Sequence, residues 1–175
     1  MVNDTDLNVD SVVSLCEKLT LIAPVYYIYG NHEGNIEYAN DGPKIPLDQY
    51  LWEAGVTVCY YGEYQICLGS VQAVLFSVSE TDVEFESSEV IQKDFETFEN
   101  KAQFKIAVSH YPQIFYKSLY DGEFDLAIAG HFHGGQIIIP GVGGLYHKDT
   151  GFFPQYYGGC YSLNKGVLVV SRGLG

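Results

Sequence analysis

Phe124-Asp125-Leu126-Ala127-Ile128-Ala129-Gly130-His131-Phe132-His133-Gly134-Gly135-Gln136-Ile137-Ile138-Ile139 is the stretch from which the rest of the chain is read. Its first six residues form a short apolar run, the pattern of a buried strand. Ile137-Ile138-Ile139 reads as another strand, stopped by Pro140 and Gly141. Two histidines spaced i and i+2 therefore stand on a glycine-lined turn at a strand end. On a turn, unlike on a strand, side chains two apart can converge on one region. Neutral imidazole ligates transition metals. Gly130, Gly134 and Gly135 predict close backbone approach and left-handed φ. An isolated HxH is more often a polar hairpin with two surface histidines. The flanking strand, the glycines and two further clusters decide otherwise here.

Those clusters lie upstream. Lys105-Ile106-Ala107-Val108 reads as a strand ending in Ser109-His110-Tyr111-Pro112. Val25-Tyr26-Tyr27-Ile28-Tyr29 reads as a strand ending in Gly30-Asn31-His32-Glu33. Asn31/His32, His110 and His131/His133 thus each follow a strand directly, and ligand sites on α/β sheets lie beyond strand carboxyl ends. Asparagine supplies a neutral oxygen and histidine a nitrogen. Such mixed sets suit manganese, iron or zinc better than calcium or magnesium.

The remaining elements read as follows. Asp10 caps a helix to about Thr20, with Val12, Leu15, Cys16 and Leu19 as one apolar stripe. Leu47, Tyr50, Leu51 and Ala54 mark a short helix, with Pro46 near its start and Gly55 just past its end. Val56–Tyr60 and Tyr64–Leu68 read as a hairpin through Tyr61-Gly62-Glu63. Val71–Val78 is a strand, and Ser88 opens a helix carrying Ile91, Phe95, Phe98 and Ala102. A short helix precedes Asp121-Gly122, and Val167–Val170 is the last strand. Residues 1–9 are polar and expected to fray. Asn35–Pro46, Glu80–Glu89 and the glycine- and aromatic-rich stretch after Ile139 read as loops. Strands and helices in this mixture predict an α/β fold of mixed β-sheets flanked by helices. No repeat or linker divides the chain, so residues 1–175 are expected to form a single domain.

Nine basic against twenty-two acidic residues give a net charge of −13. No nucleic-acid partner is expected, because such surfaces need basic patches. A phosphate ligand would need local positive charge, which a metal can supply. Cys16, Cys59, Cys67 and Cys160 include no CxxC pair, and Cys16 is expected simply to pack. No signal peptide or membrane-spanning run is present in this chain, which as it stands is expected in the cytoplasm.

At this point the sequence resembles the calcineurin-like metallophosphoesterase superfamily. Gly30-Asn31-His32-Glu33 resembles its GNH[DE] motif, Ser109-His110 its single-histidine motif and Gly130-His131-Phe132-His133 its GHxH motif. Gly134-Gly135-Gln136 and Ser171-Arg172-Gly173-Leu174-Gly175 resemble a bacterial branch that includes the YkuE-like enzymes. The resemblance runs from about residue 10 to the end, and it implies a four-layer sandwich and phosphoester hydrolysis at a dinuclear centre. Asn31, His110 and His131 would ligate one metal and His133 would belong to the other. His32 would stand near the leaving oxygen, with Glu33, where most relatives have Asp, orienting it. An activated water would attack phosphorus in line.

The family's DxH and GDxxD motifs do not occur in the sequence. The chain is therefore expected to be an N-terminally truncated phosphoesterase, lacking the first strands, with a partial and weak complement of divalent metal (Mn, Fe or Zn). Its parent could be membrane-associated. The expected substrate is a phosphomonoester or phosphodiester. The rivals are a catalytically inactive metal-binding remnant or interaction module, and a mononuclear zinc hydrolase using His110, His131 and His133. A strand left short of a neighbour at Val25–Ile28 predicts that its edge is covered by a second copy in a homodimer, by another partner, or by residues 1–9 folding back as a substitute strand. His147 matches none of these motifs and is expected at the surface. Tyr26, Tyr27 and Tyr29 read as core and rim, and Tyr156 and Tyr157 either as a substrate lip or as loop packing.

Overall fold

The computed structural model describes residues 9–33, 37–38, 45–78, 88–99, 104–119, 122–135 and 137–173. The expectations for residues 1–8, for most of the 35–46 and 80–89 loops, and for Ala102, Asp121, Gln136, Leu174 and Gly175 lie outside these. In chain order come α1 (Val9–Thr20), β1 (Tyr26–Ile28), β2 (Glu37–Tyr38), β3 (Ile45–Pro46), α2 (Leu47–Glu53), β4 (Thr57–Cys59), β5 (Gly62–Leu68) and β6 (Val71–Val78). Then follow α3 (Ser88–Glu99), β7 (Lys105–Ser109), a π-helical turn (Ile114–Ser118), β8 (Leu126–Ala129), β9 (Ile137–Ile139) and β10 (Gly143–His147). β11 (Gly151–Phe152), β12 (Gly159–Ser162) and β13 (Val167–Val170) complete the order.

A six-stranded mixed sheet runs β12-β13-β8-β7-β6-β5. Its four inner strands are parallel, and β5 and β12 close the edges antiparallel. Strand alternation sends successive residues to opposite faces. Val74, Phe76 and Val78 of β6 therefore enter one core with Ala107, Ala127, Leu168, and with Ile91 and Phe95 of α3. Ala73 and Leu75 face the other way and pack with Cys59, Ile66 and Ile106 beneath Tyr26 and Ile28. β1 and β4 form a second, two-stranded parallel sheet. Its outer face carries Val25, Tyr27, Val56 and Val58 against Val9, Val12, Val13, Cys16, Leu47 and Leu51 of α1 and α2. Helices, small sheet, large sheet and helix thus stack as four layers around three cores. Phe95 is 1% exposed and meets Phe76 edge-on at 5.4 Å between centroids. Its truncation to alanine should cost about 3–5 kcal/mol.

α1 begins at Val9, which is buried, so Val9 does not fray and Asp10 lies within the first turn instead of capping it. The 35–46 stretch carries the paired strands β2 and β3. Three further readings need correction. The Val56–Leu68 hairpin does not form: β4 pairs with β1 and β5 with β6, so Tyr61 is a crossing between sheets. Apolar alternation identifies strands but not their partners. The stretch after Ile139 is not one loop. It folds into the antiparallel sheet β11-β10-β9 and edge strand β12, with left-handed glycines at 141, 143, 151 and 159. Glycine density masked the strand pattern there. On α1 the buried face is Val9, Val12, Val13 and Cys16, while Leu15 and Leu19 are exposed. Both stripes have helical spacing and share Val12 and Cys16, so spacing alone does not choose between them.

Candidate metal centre

The carboxyl ends of β1, β7 and β8 point to one place. Asn31 follows β1, His110 follows β7 and His131 follows β8. His110 Nε2 lies 2.9 Å from Asn31 Oδ1 and 3.1 Å from His131 Nδ1. These are also the separations a metal imposes, since two donors about 2.1 Å from one ion at right angles are about 3.0 Å apart. Two neutral imidazoles and an amide oxygen are a donor set of the right chemistry for manganese, iron or zinc. The residues present therefore fit a divalent cation.

Backbone geometry sets those side chains. His131 and His133 adopt φ of 66° and 48°, and Gly134 and Gly135 follow at 76° and 87°. Left-handed φ in a non-glycine residue costs of order 1–2 kcal/mol. The expected left-handed φ thus occurs at Gly134 and Gly135 but not at Gly130, and the histidines themselves also take it. Gly135 permits a close approach, since a Cβ there would meet Gly144 Cα at 2.9 Å. Gly30 is equally constrained: its Cβ would lie 2.7 Å from His110 Nδ1.

Two residues outside the sequence motifs complete the arrangement. Asp149 Oδ2 lies 2.6 Å from His131 Nε2. An ionised carboxylate only accepts, so Nε2 donates and Nδ1 presents its lone pair toward His110. His147 is 2% exposed, which overturns its expected surface position. Its Nδ1 accepts the Asp149 backbone N–H at 3.2 Å. His131, His147 and Asp149 bring donor atoms within 4.8 Å of one another and so form a metal-capable group of their own. The lone pair of His147 Nδ1 is already engaged, however, which favours a scaffold for His131 over a second ion.

The family profile described as calcineurin-like phosphoesterase matches residues 2–135, a span that holds Asn31, His110, His131 and His133. The chain belongs to the calcineurin-like phosphoesterase family. No curated protein matches the chain. Among solved structures, the sulfate thiohydrolase SoxB of Thermus thermophilus, in complex with glycerol, aligns at 12% identity and a TM-score of 0.43. That alignment covers 71% of this chain and 24% of the other, so the chain spans about a quarter of that protein's length.

In this member of the family the centre opens into a cavity of about 310 Å³. His32, Glu33, His110, His131, His133 and Arg172 line its polar side, and Val12, Leu15, Cys16 and Ile28 its apolar side. His32 and His133 are exposed. His32 Nε2 stands 3.4 Å from Asn31 Nδ2, so the Asn31 amide reaches His110 with its oxygen and His32 with its nitrogen. Glu33 accepts the Gly30 N–H at 3.0 Å and the Tyr27 hydroxyl at 3.2 Å. It thereby ties the turn carrying Asn31 and His32 back to β1.

Burial, with charge repulsion from His131, His133 and His32, pushes His110 down to about 4. Burial also lowers His131, against the upward pull of Asp149. His147 is lowered by burial as well. Burial raises Asp149, but the hydrogen bond and charge of His131 outweigh it and hold the carboxyl below its ordinary value. At neutral pH the buried rings are therefore uncharged, the state in which imidazole ligates. Asp149 and His147 carried no signal in the sequence. The β9–β10 return brings them to His131, with Tyr146 N–H donating to Gly135 O.

Proposed function

We propose that Asn31, His110 and His131 hold one divalent cation, Mn, Fe or Zn, and that the protein to which this domain belongs hydrolyses phosphomonoesters or phosphodiesters. The observation that carries this reading is the meeting of Asn31 Oδ1 and His131 Nδ1 at His110 Nε2. His133, at the cavity wall, belongs to a second ion of a dinuclear centre. No DxH or GDxxD pattern occurs in the given sequence, so we expect that second site to be incomplete in this chain. The Gly134-Gly135-Gln136 and Ser171-Arg172-Gly173 segments support placement near the YkuE-like branch.

A bound divalent cation supplies Lewis acidity toward a phosphoryl oxygen and acidifies water. The protein's own groups do the rest. Asp149 keeps His131 in the ligating tautomer. Asn31 sets His32 at the cavity, where an exposed imidazole is placed to give a proton to the leaving oxygen. Glu33 fixes the turn from which both project.

Metal content measured beside manganese-dependent cleavage of bis(4-nitrophenyl) phosphate tests the reading. Metal binding lost in His131→Ala, with slow turnover that falls in His32→Ala, is the expected result. Turnover that ignores chelators contradicts it. The missing DxH and GDxxD patterns favour one alternative, an inactive metal-binding or interaction module, and binding without turnover would select it.

A further inference from the structure

Arg172 stands directly after β13, whose last residue, Val170, pairs in parallel with Ala129 of β8. Ser171 N–H donates to Ala129 O at 2.8 Å, so the chain leaving β13 runs beside the loop that carries His131 and His133. The Arg172 stem is packed against two glycines. A Cβ at Gly158 would lie 2.5 Å from Arg172 Cγ, and one at Gly134 would lie 3.0 Å from Arg172 Cδ. Gly134 belongs to the histidine loop, so the position of the guanidinium is tied to that of the metal centre. Among the described residues lining the cavity, Arg172 is the one lysine or arginine. Arg172 is exposed, it also borders a second cavity beside Tyr157 and Gly158, and among the described residues no ion pair joins it to a carboxylate, in a chain where acids outnumber bases 22 to 9.

Guanidinium presents a planar fork of donors that matches two oxygens of a phosphoryl group, and its charge does not titrate away. We propose that Arg172 binds the non-bridging oxygens of the substrate's phosphoryl group and holds it against the metal centre. The proposal rests on the phosphoester reading above and adds to it the substrate-binding residue. It would let the cavity of a strongly acidic protein take an anion, and it gives Gly134 and Gly158 a reason to lack side chains.

Equilibrium dialysis of inorganic phosphate against the chain, with and without manganese, tests it. Arg172→Ala should weaken phosphate binding at least tenfold in whichever condition binding is measured, and Arg172→Lys should lie between. Arg172→Gln keeps the stem between the glycines and removes the charge, so it decides the question if the alanine variant unfolds. Lys165→Ala, at the opposite end of β13 and paired with Glu123, removes one positive charge and should change nothing. Metal content should be the same in Arg172→Ala as in the parent. Equal phosphate affinity in the parent and in Arg172→Gln overturns the proposal, as does absence of phosphate binding by the parent in both conditions. Failure of the parent to bind metal would instead sink the phosphoester reading, and the metal-free measurement would still decide on Arg172.

Discussion

His131 Nε2 lies 2.6 Å from Asp149 Oδ2, and that bond settles which nitrogen of the ring faces His110. Carboxylates that hold a ligating histidine typically change metal affinity by about 10–100-fold when removed. Asp149→Ala should therefore weaken manganese binding on that scale while leaving the circular dichroism spectrum unchanged. Asp149→Asn keeps an acceptor oxygen and should lose less. Unaltered affinity in both would show that the carboxylate does not orient His131.

Gly30 touches the same ring from the other side. A methyl group at Gly30 would lie 2.7 Å from His110 Nδ1, so the imidazole must move. Gly30→Ala should weaken metal binding by at least about tenfold, the scale of a displaced ligand shell. An isothermal titration showing parental affinity would mean that the ring is free to adapt.

Much of this was legible in the sequence, and the reason is local. Asn31, His110 and His131 each follow a strand within three residues, so short-range apolar pattern and motif spacing suffice to place them. The α/β class follows from the same signals. What the sequence concealed depends on long-range pairing. β4 has a strand pattern like any other, and nothing local tells it to pair with β1 instead of β5. His147 sits in a polar stretch and becomes buried only because β10 returns antiparallel along β9 to the histidine loop. Asp149 then meets His131 across eighteen positions, a contact no spacing rule anticipates.

Acid should destabilise the fold through His110. Its folded-state value is about 4 against an ordinary 6.5, so between those values the unfolded chain binds the extra proton. Stability is then full above pH 6.5 and is lost as pH falls toward 4. Urea midpoints at pH 7, 6 and 5 should decline in the parent and decline less in His110→Asn. Parallel declines would assign the effect to other groups.

β1 is hydrogen-bonded to β4, and among the described residues no strand pairs with its other edge. Tyr26, Tyr27 and Ile28 carry no charge to guard that edge. Pairing between two copies would have to overcome a net charge of −13 on each, so the dimer should tighten as salt screens the repulsion. Light scattering at low and high salt checks this. A monomer at high concentration and high salt would show that the β1 edge does not pair between copies.

One cation is expected between Asn31, His110 and His131. Pulsed electron paramagnetic resonance of the manganese-loaded chain reads the nitrogens bound to the ion directly. Couplings from two imidazoles are predicted, with one lost in His110→Ala, one lost in His131→Ala, and weaker metal retention in Asn31→Ala. Couplings that survive His110→Ala and Asn31→Ala but vanish in His147→Ala would contradict the claim and place the ion among His131, His147 and Asp149.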